Sequence, residues 1–134
     1  MASGASDIRW KQRFQNYQRA YHLLEHTLSM TSLSEVERAG LIQFFEMAFE
    51  LAWKLMSDYL REEGFVIDSP RQAIKQAFQS RIIADGHAWM NALNDRNLTV
   101  HTYDESTALK VEAKIRQDYF PLLQQLHAFF QEKA

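Results

Sequence analysis

Cysteine is absent from this chain, which removes disulfides, thiolate nucleophiles and zinc–thiolate sites from consideration. Proline occurs twice and glycine four times, too few for the turns of an all-β fold. No apolar run is long enough for a membrane span and the N-terminus carries no signal-peptide core, so a cytoplasmic location is expected. Charge of one sign is lacking too. With a formal net charge of −2, no broad field draws polyanions, and any contact with nucleic acid has to run through a local site or a partner. Gly-rich phosphate loops are not found. What is present is 134 residues, 46% hydrophobic and 24% charged, ordinary usage for a chain that builds a core of its own. No repeat, low-complexity tract or linker divides it, so residues 1–134 are expected to form a single domain, with the small polar Met1–Ser6 stretch as a frayed start.

The periodicity predicts helices. Trp10, Phe14, Tyr17, Tyr21, Leu24 and Leu28 recur at alternating steps of four and three, one apolar stripe along a helix from about Asp7 to Ser29. Ser34 and Glu37 form a capping-box pattern that opens a second helix. That helix carries two stripes: Leu41, Phe44, Ala48, Leu51, Leu55 and Tyr59, then Phe45, Phe49, Trp53, Met56 and Leu60. Two apolar faces place it centrally, touched on both flanks. Gly64 suits a helix end, and Asp68-Ser69-Pro70 is a cap followed by proline at the first helical position of a short helix with Ile74, Ala77 and Phe78 inward. Asp85-Gly86-His87 caps a fourth helix with Trp89, Met90 and Leu93, which weakens near the β-branched Thr99 and Val100. A last helix from near Glu105 shows Ala108, Val111, Ile115, Tyr119, Leu122, Leu126 and Phe129, with a kink expected at Pro121. The architecture that follows is all-α: an up-and-down antiparallel four-helix bundle with an extra short helix.

Two patterns imitate metal sites. His22-Leu23-Leu24-Glu25-His26 matches H-x-x-E-H, but the further ligand and cleft of such a peptidase are not in view, and an exposed polar edge of the first helix accounts for it. Glu46 and Glu50 lack the facing Glu-x-x-His of bundle di-metal sites, and Glu50 with Lys54 is a surface i,i+4 pair. No metal and no cofactor are expected. The aromatic stripes are core rather than a base-stacking platform.

There remains the stretch Asp95-Arg96-Asn97-Leu98-Thr99-Val100-His101-Thr102-Tyr103. It gathers a guanidinium, an amide, an imidazole and a phenol where the fourth helix gives way to the fifth. Arginine captures phosphate bidentately and histidine moves a proton near neutral pH. In an unbroken helix Arg96 and Tyr103 share a face while His101 points about 140° away from the arginine, so convergence requires the helix to end or distort near Thr99. On its own the pattern is short, and an Arg and a His at a helix end with Tyr in the core is the plainer account.

Arg96-Asn97-Leu98-Thr99-Val100-His101-Thr102-Tyr103 resembles the R-x4-H-x-Y motif of HEPN-domain proteins (higher eukaryotes and prokaryotes nucleotide-binding), with Asn97 as the polar residue preferred after the arginine. More narrowly the chain resembles the subgroup called nucleotidyltransferase substrate-binding proteins. The likeness extends to Phe44–Lys54, Ser69-Pro70-Arg71 and Tyr119-Phe120-Pro121-Leu122. The resemblance implies a dimerising helical bundle, paired with a minimal nucleotidyltransferase as toxin and antitoxin. It implies a metal-independent ribonuclease acting on tRNA or mRNA, with AMP transferred onto Tyr103 by the partner to silence it. An older view has such a bundle only present substrate to the transferase. In the ribonuclease case His101 is base or acid, Arg96 stabilises phosphorane charge, and Asn97 positions the substrate. One imidazole cannot serve as base and acid in one step, so a two-fold dimer bringing two motifs together is expected. Near-neutral charge argues for the binding role, unless Arg71, Lys75 and Arg81 line the same groove.

Overall fold

The computed structural model describes residues 4–96 and 104–134, and every regular element among them is helical. Helix α1 is Gly4–Leu28, α2 Glu35–Glu62, α3 Pro70–Gln79, α4 Gly86–Asp95 and α5 Glu105–Lys114. A π-helical segment, Ile115–Tyr119, joins α5 to α6, Phe120–Lys133, as one continuous rod.

Local signals set most boundaries. Ser34 Oγ accepts from the Glu37 amide at 3.1 Å while the Ser34 amide donates to Glu37 Oε1 at 2.8 Å, closing the capping box at the head of α2. The tail of α2 ends in a Schellman arrangement: the Phe65 amide donates to the Leu60 carbonyl and the Gly64 amide to that of Arg61. Gly64 sits at φ +99°, where a side chain would be strained. Ser69 Oγ caps α3 by accepting from the Gln72 amide at 3.2 Å, with Pro70 in the first turn, and Asp85 Oδ1 caps α4 through the Ala88 amide at 3.0 Å. At the other end of the chain α1 begins at Gly4, so part of the small polar start joins the helix instead of fraying.

Four rods fill the corners of the bundle. Trp10 meets Tyr59 edge-on at 5.4 Å and Arg13 donates to Asp58 at 2.9 Å, so α1 and α2 run antiparallel. Trp10 also meets Phe130 and the Tyr17 hydroxyl donates to the Leu123 carbonyl at 2.6 Å, so α1 is antiparallel to the last rod as well. Arg38 on Glu112 and Phe45 on Tyr119 show α2 running parallel with that rod, as diagonal corners of an up-and-down bundle must. Helix α4 takes the remaining corner, antiparallel to the last rod, since Asp95 pairs with Lys114 and Gln125 donates to the Ile82 carbonyl at its two ends. The extra short helix is α3. As the two stripes required, α2 is central: Leu41, Phe45, Ala48, Phe49, Leu55, Met56 and Leu60 are all buried, and Phe44, Leu51 and Trp53 are half-buried.

Two expectations need correction. The helix is not interrupted at Pro121; a π segment precedes the proline instead, where the Phe120 amide reaches back five residues to the Ile115 carbonyl. Proline lacks an amide hydrogen, and the wider turn ahead of it absorbs that loss without breaking the rod. The extra residue shifts the stripe: Leu123, Leu126 and Phe130 are buried, whereas the expected Leu122 and Phe129 lie half-buried at its margin. The second correction is Phe78, expected inward on α3 but 51% exposed.

Candidate active site at the end of α4

Arg96 immediately follows α4 and caps it, in helical conformation with its amide bonded to the Ala92 carbonyl. The expected weakening past Asn97 falls on residues 97–103, outside the described residues, as do Asn97, His101 and Tyr103 themselves. What is described is the frame on both sides of that segment.

On the Arg96 side, the guanidinium lies 3.8 Å from Glu50 Oε2 of α2. Glu50 also accepts from the Trp53 indole at 3.0 Å and pairs with Lys54 at 3.4 Å. The surface pair foreseen between Glu50 and Lys54 is therefore present, and the same carboxylate reaches the site arginine across the bundle. One residue earlier, Asp95 accepts a short hydrogen bond from the Tyr119 hydroxyl and faces Lys114 Nζ at 3.6 Å. Burial, then the Asp95 carboxylate, push the Tyr119 phenol well above its ordinary value, so it stays a donor. The π segment supplies this contact, because it carries Tyr119.

On the far side, Asp104 accepts from the Ser106 and Thr107 hydroxyls at 3.0 and 3.1 Å, which hold its carboxyl below the usual range. The Arg38 guanidinium bonds Glu105, Glu112 Oε1 at 2.6 Å and the Leu33 carbonyl at 3.0 Å. Glu112 in turn accepts from Arg116 Nε at 2.9 Å, and Arg116 donates to the Leu28 carbonyl. Burial works against the Glu112 carboxylate, but hydrogen bonds from Arg38 and Arg116 outweigh it and hold its pKa low. The described residues that flank 97–103 are thus tied to the bundle by ion pairs, Arg96 through Glu50 and Glu105 through Arg38.

Arg96 opens onto a groove of about 530 Å³ between the start of α3 and the end of α4, lined by Ser69, Pro70, Arg71, Leu93, Asn94 and Arg96. Arg71 Nη2 donates to Asn94 Oδ1 at 2.9 Å, which fixes a second guanidinium on the same groove. No carboxylate is among the described lining residues. Of the three basic residues singled out in the sequence, Arg71 joins Arg96, Lys75 lines the adjoining groove, and Arg81 lies elsewhere, beyond Phe78. The structure adds Asn94 and Tyr119, which sequence patterns did not mark: one is an unremarkable amide, the other passes for a core aromatic.

Among the described residues no cluster of ligands suits a metal ion. His22 Nδ1 contacts Glu25 at 3.3 Å and His26 is exposed, so the H-x-x-E-H pattern lies along a solvated edge of α1. His127, by contrast, is buried and stacks on Tyr21 with centroids 4.4 Å apart.

A family model described as nucleotidyltransferase substrate binding protein like matches residues 12–132. The chain belongs to that family. A Haemophilus influenzae protein named "Probable ribonuclease HepT" is 33% identical over 82 residues, 58% of this chain, and the match spans 56% of that relative. A crystal structure from Thermus thermophilus is 34% identical with a TM-score of 0.75, covering 82% of this chain and 94% of that one. A Haemophilus influenzae structure, described as the fold of a substrate binding domain of a nucleotidyltransferase, is 24% identical with a TM-score of 0.77 over 88% of this chain and 98% of its own, a likeness of fold. The nucleotidyltransferase substrate-binding fold is therefore the one in which the Arg96 groove is set. No helix among the described residues is long and apolar enough to cross a membrane.

Proposed function

We propose that this chain is the toxin of a toxin–antitoxin pair, a metal-independent endoribonuclease silenced when a minimal nucleotidyltransferase moves AMP onto Tyr103. The observation that carries the proposal is the pair of guanidiniums, Arg96 and Arg71, on one groove free of carboxylates among its described residues, at the head of Arg96-x4-His101-x-Tyr103. A ribonuclease name on a 33% identical relative supports the same reading.

The chemistry asks little beyond these residues. A base takes the proton of a ribose 2′-hydroxyl, whose oxygen attacks the adjacent phosphorus. The 5′-oxygen leaves with a proton from an acid, giving a 2′,3′-cyclic phosphate and a 5′-hydroxyl. His101 fills one proton role and His101 of a second copy the other, so the active unit is a homodimer; Asn97 positions the phosphate and Arg96 stabilises the charge that develops on it. Silencing needs the Tyr103 oxygen to attack the α-phosphorus of ATP on the partner, with diphosphate leaving. The attached nucleotide adds phosphate charge and bulk where RNA must enter.

A second reading, a non-catalytic subunit that holds substrate for the transferase, is favoured by the family's description and by the net charge of −2. Expression alone separates the two. The ribonuclease arrests growth, co-expression of the transferase relieves the arrest, and intact mass shows whole AMP units on Tyr103. Growth unaffected by expression, with RNA left intact by the purified protein, would leave the binding role.

A further inference from the structure

We infer that the cleft between α3 and α4 is a track for single-stranded RNA, leading away from Arg96 along Arg71 and Lys75 to a base seat on Phe78; this rests on the ribonuclease reading. The two helices form an antiparallel hairpin, with Arg71 bonded to Asn94 at one end and Phe78 over Gly86 at the other. Its cleft has two parts: the Arg96–Arg71 groove, and a second of about 510 Å³ lined by Ile74, Lys75, Phe78, Gly86, His87 and Met90, with Gln79 at its rim. Along both parts no carboxylate is among the described lining residues, in a protein whose net charge is negative.

The spacing fits a nucleic acid strand. Arg71, Lys75 and Phe78 are exposed and lie one turn apart in succession on one face of α3. The two cations are separated by about 6 Å along the helix, close to one nucleotide step of an extended strand. Phe78 is a large apolar ring left outside the core with a fixed seat. A Cβ at Gly86 would come within 3.0 Å of its Cγ, so one edge of the ring rests on bare backbone while the side chain stays half open. Half-open aromatics beside phosphate-binding cations are how sequence-tolerant single-strand sites hold bases. A duplex, whose bases are already stacked, has none to offer such a ring.

The test uses a fluorescent, 2′-O-methylated single-stranded RNA of mixed sequence, which cannot supply the nucleophile and stays intact, titrated into the whole protein over a salt series. The double variant Arg71→Ala with Lys75→Ala should lower the slope of log K against log salt by about 1.4, from about 0.7 for each phosphate that is no longer neutralised. Phe78→Ala should weaken binding roughly five- to hundredfold with the slope retained, and a duplex of the same sequence should bind more weakly than the strand. Circular dichroism checks that each variant is folded. Parental affinity and slope in all variants, with RNA still cleaved by the unmodified protein, would overturn the track and leave the ribonuclease reading standing. Variants that keep RNA affinity but lose co-purification with the transferase would make the cleft a protein dock and overturn it likewise. A parent protein that neither binds nor cleaves RNA would overturn both.

Discussion

Toward α3, helix α4 shares a cleft with Arg71 and Lys75 that Arg96 closes at one end; no carboxylate is among its described lining residues, and Glu50 of α2 meets Arg96 from outside them at 3.8 Å. Toward the last rod, the same helix with its cap Asp85 lines a cavity of about 760 Å³ that also holds Asp95, across from Asp118, with Lys114 the lysine or arginine among the described lining residues. Ten residues of helix thus separate a cationic face from an acidic one. The contrast shows why a net charge of −2 is a poor guide to this protein: the sum hides a partition. On the acidic face, Asp95 is occupied by Tyr119 and Lys114 and serves to hold α4 in place. On the cationic face, Arg71 is braced by a neutral amide, Asn94, instead of a carboxylate.

The largest way to break this contrast is to remove charge from each face in turn. Arg96→Ala should lower RNA cleavage about 100-fold or more, and His101→Ala by about 10²–10⁴-fold, each in a protein that keeps its helical circular dichroism. Asp118→Ala, on the other face, should leave the cleavage rate of the same labelled RNA within about twofold, in line with surface changes away from the chemistry. Cleavage lost equally from both faces would erase the distinction.

Next in size is the support beneath both faces. The Phe49 ring is buried and stacks on Trp89 of α4 with centroids 5.7 Å apart. Phe49→Ala should cost about 3–5 kcal/mol in urea unfolding, and α4 amides should exchange faster than those of α1. A smaller effect sharpens the structural assignment of the acidic face. Tyr119→Phe removes a donor from the Asp95 carboxylate and should cost about 1–2 kcal/mol of stability while leaving RNA affinity near the parent's.

The smallest effect lies far from α4. Burial, then the neighbouring His22, push the His127 imidazole below its ordinary value of 6.5, with Glu25 opposing, and its Nε2 has no hydrogen-bond partner among the described residues. Because the folded imidazole takes a proton less readily than the unfolded one, stability is full above that value and declines as pH falls from it toward the depressed one. Thermal unfolding followed from about pH 7.5 down to about pH 5 should show a steeper fall in Tm for the parent than for His127→Gln, with no matching change in RNA binding.

How much of this was legible in the sequence depends on how local each signal is. Ser34 with Glu37, Gly64, Ser69-Pro70 and Asp85 set helix ends through contacts within a few residues, so the pattern sufficed. The stripes on α1 and α2 named the core for the same reason. The slip from Leu122 and Phe129 to Leu123 and Phe130 was not legible, because a π turn ahead of Pro121 inserts a residue that helical periodicity does not count. The candidate site divides similarly. Arg96 and its motif stand out as a short string, but the partnership with Arg71 joins residues on different helices through Asn94. Glu50 was legible as a partner for Lys54, one turn away, and not for Arg96 across the bundle. Phe78 passed for core because an aromatic at helical spacing usually is; its exposure in the folded chain shows otherwise.

The most direct test of the account is to incubate the purified protein with single-stranded RNA in excess chelator and analyse the chain ends by mass spectrometry. Cleavage that leaves 2′,3′-cyclic phosphates in the chelator, and that disappears in Arg96→Ala protein of unchanged fold, is the result expected. RNA left whole by the parent, or cut at the parental rate by Arg96→Ala, would contradict it.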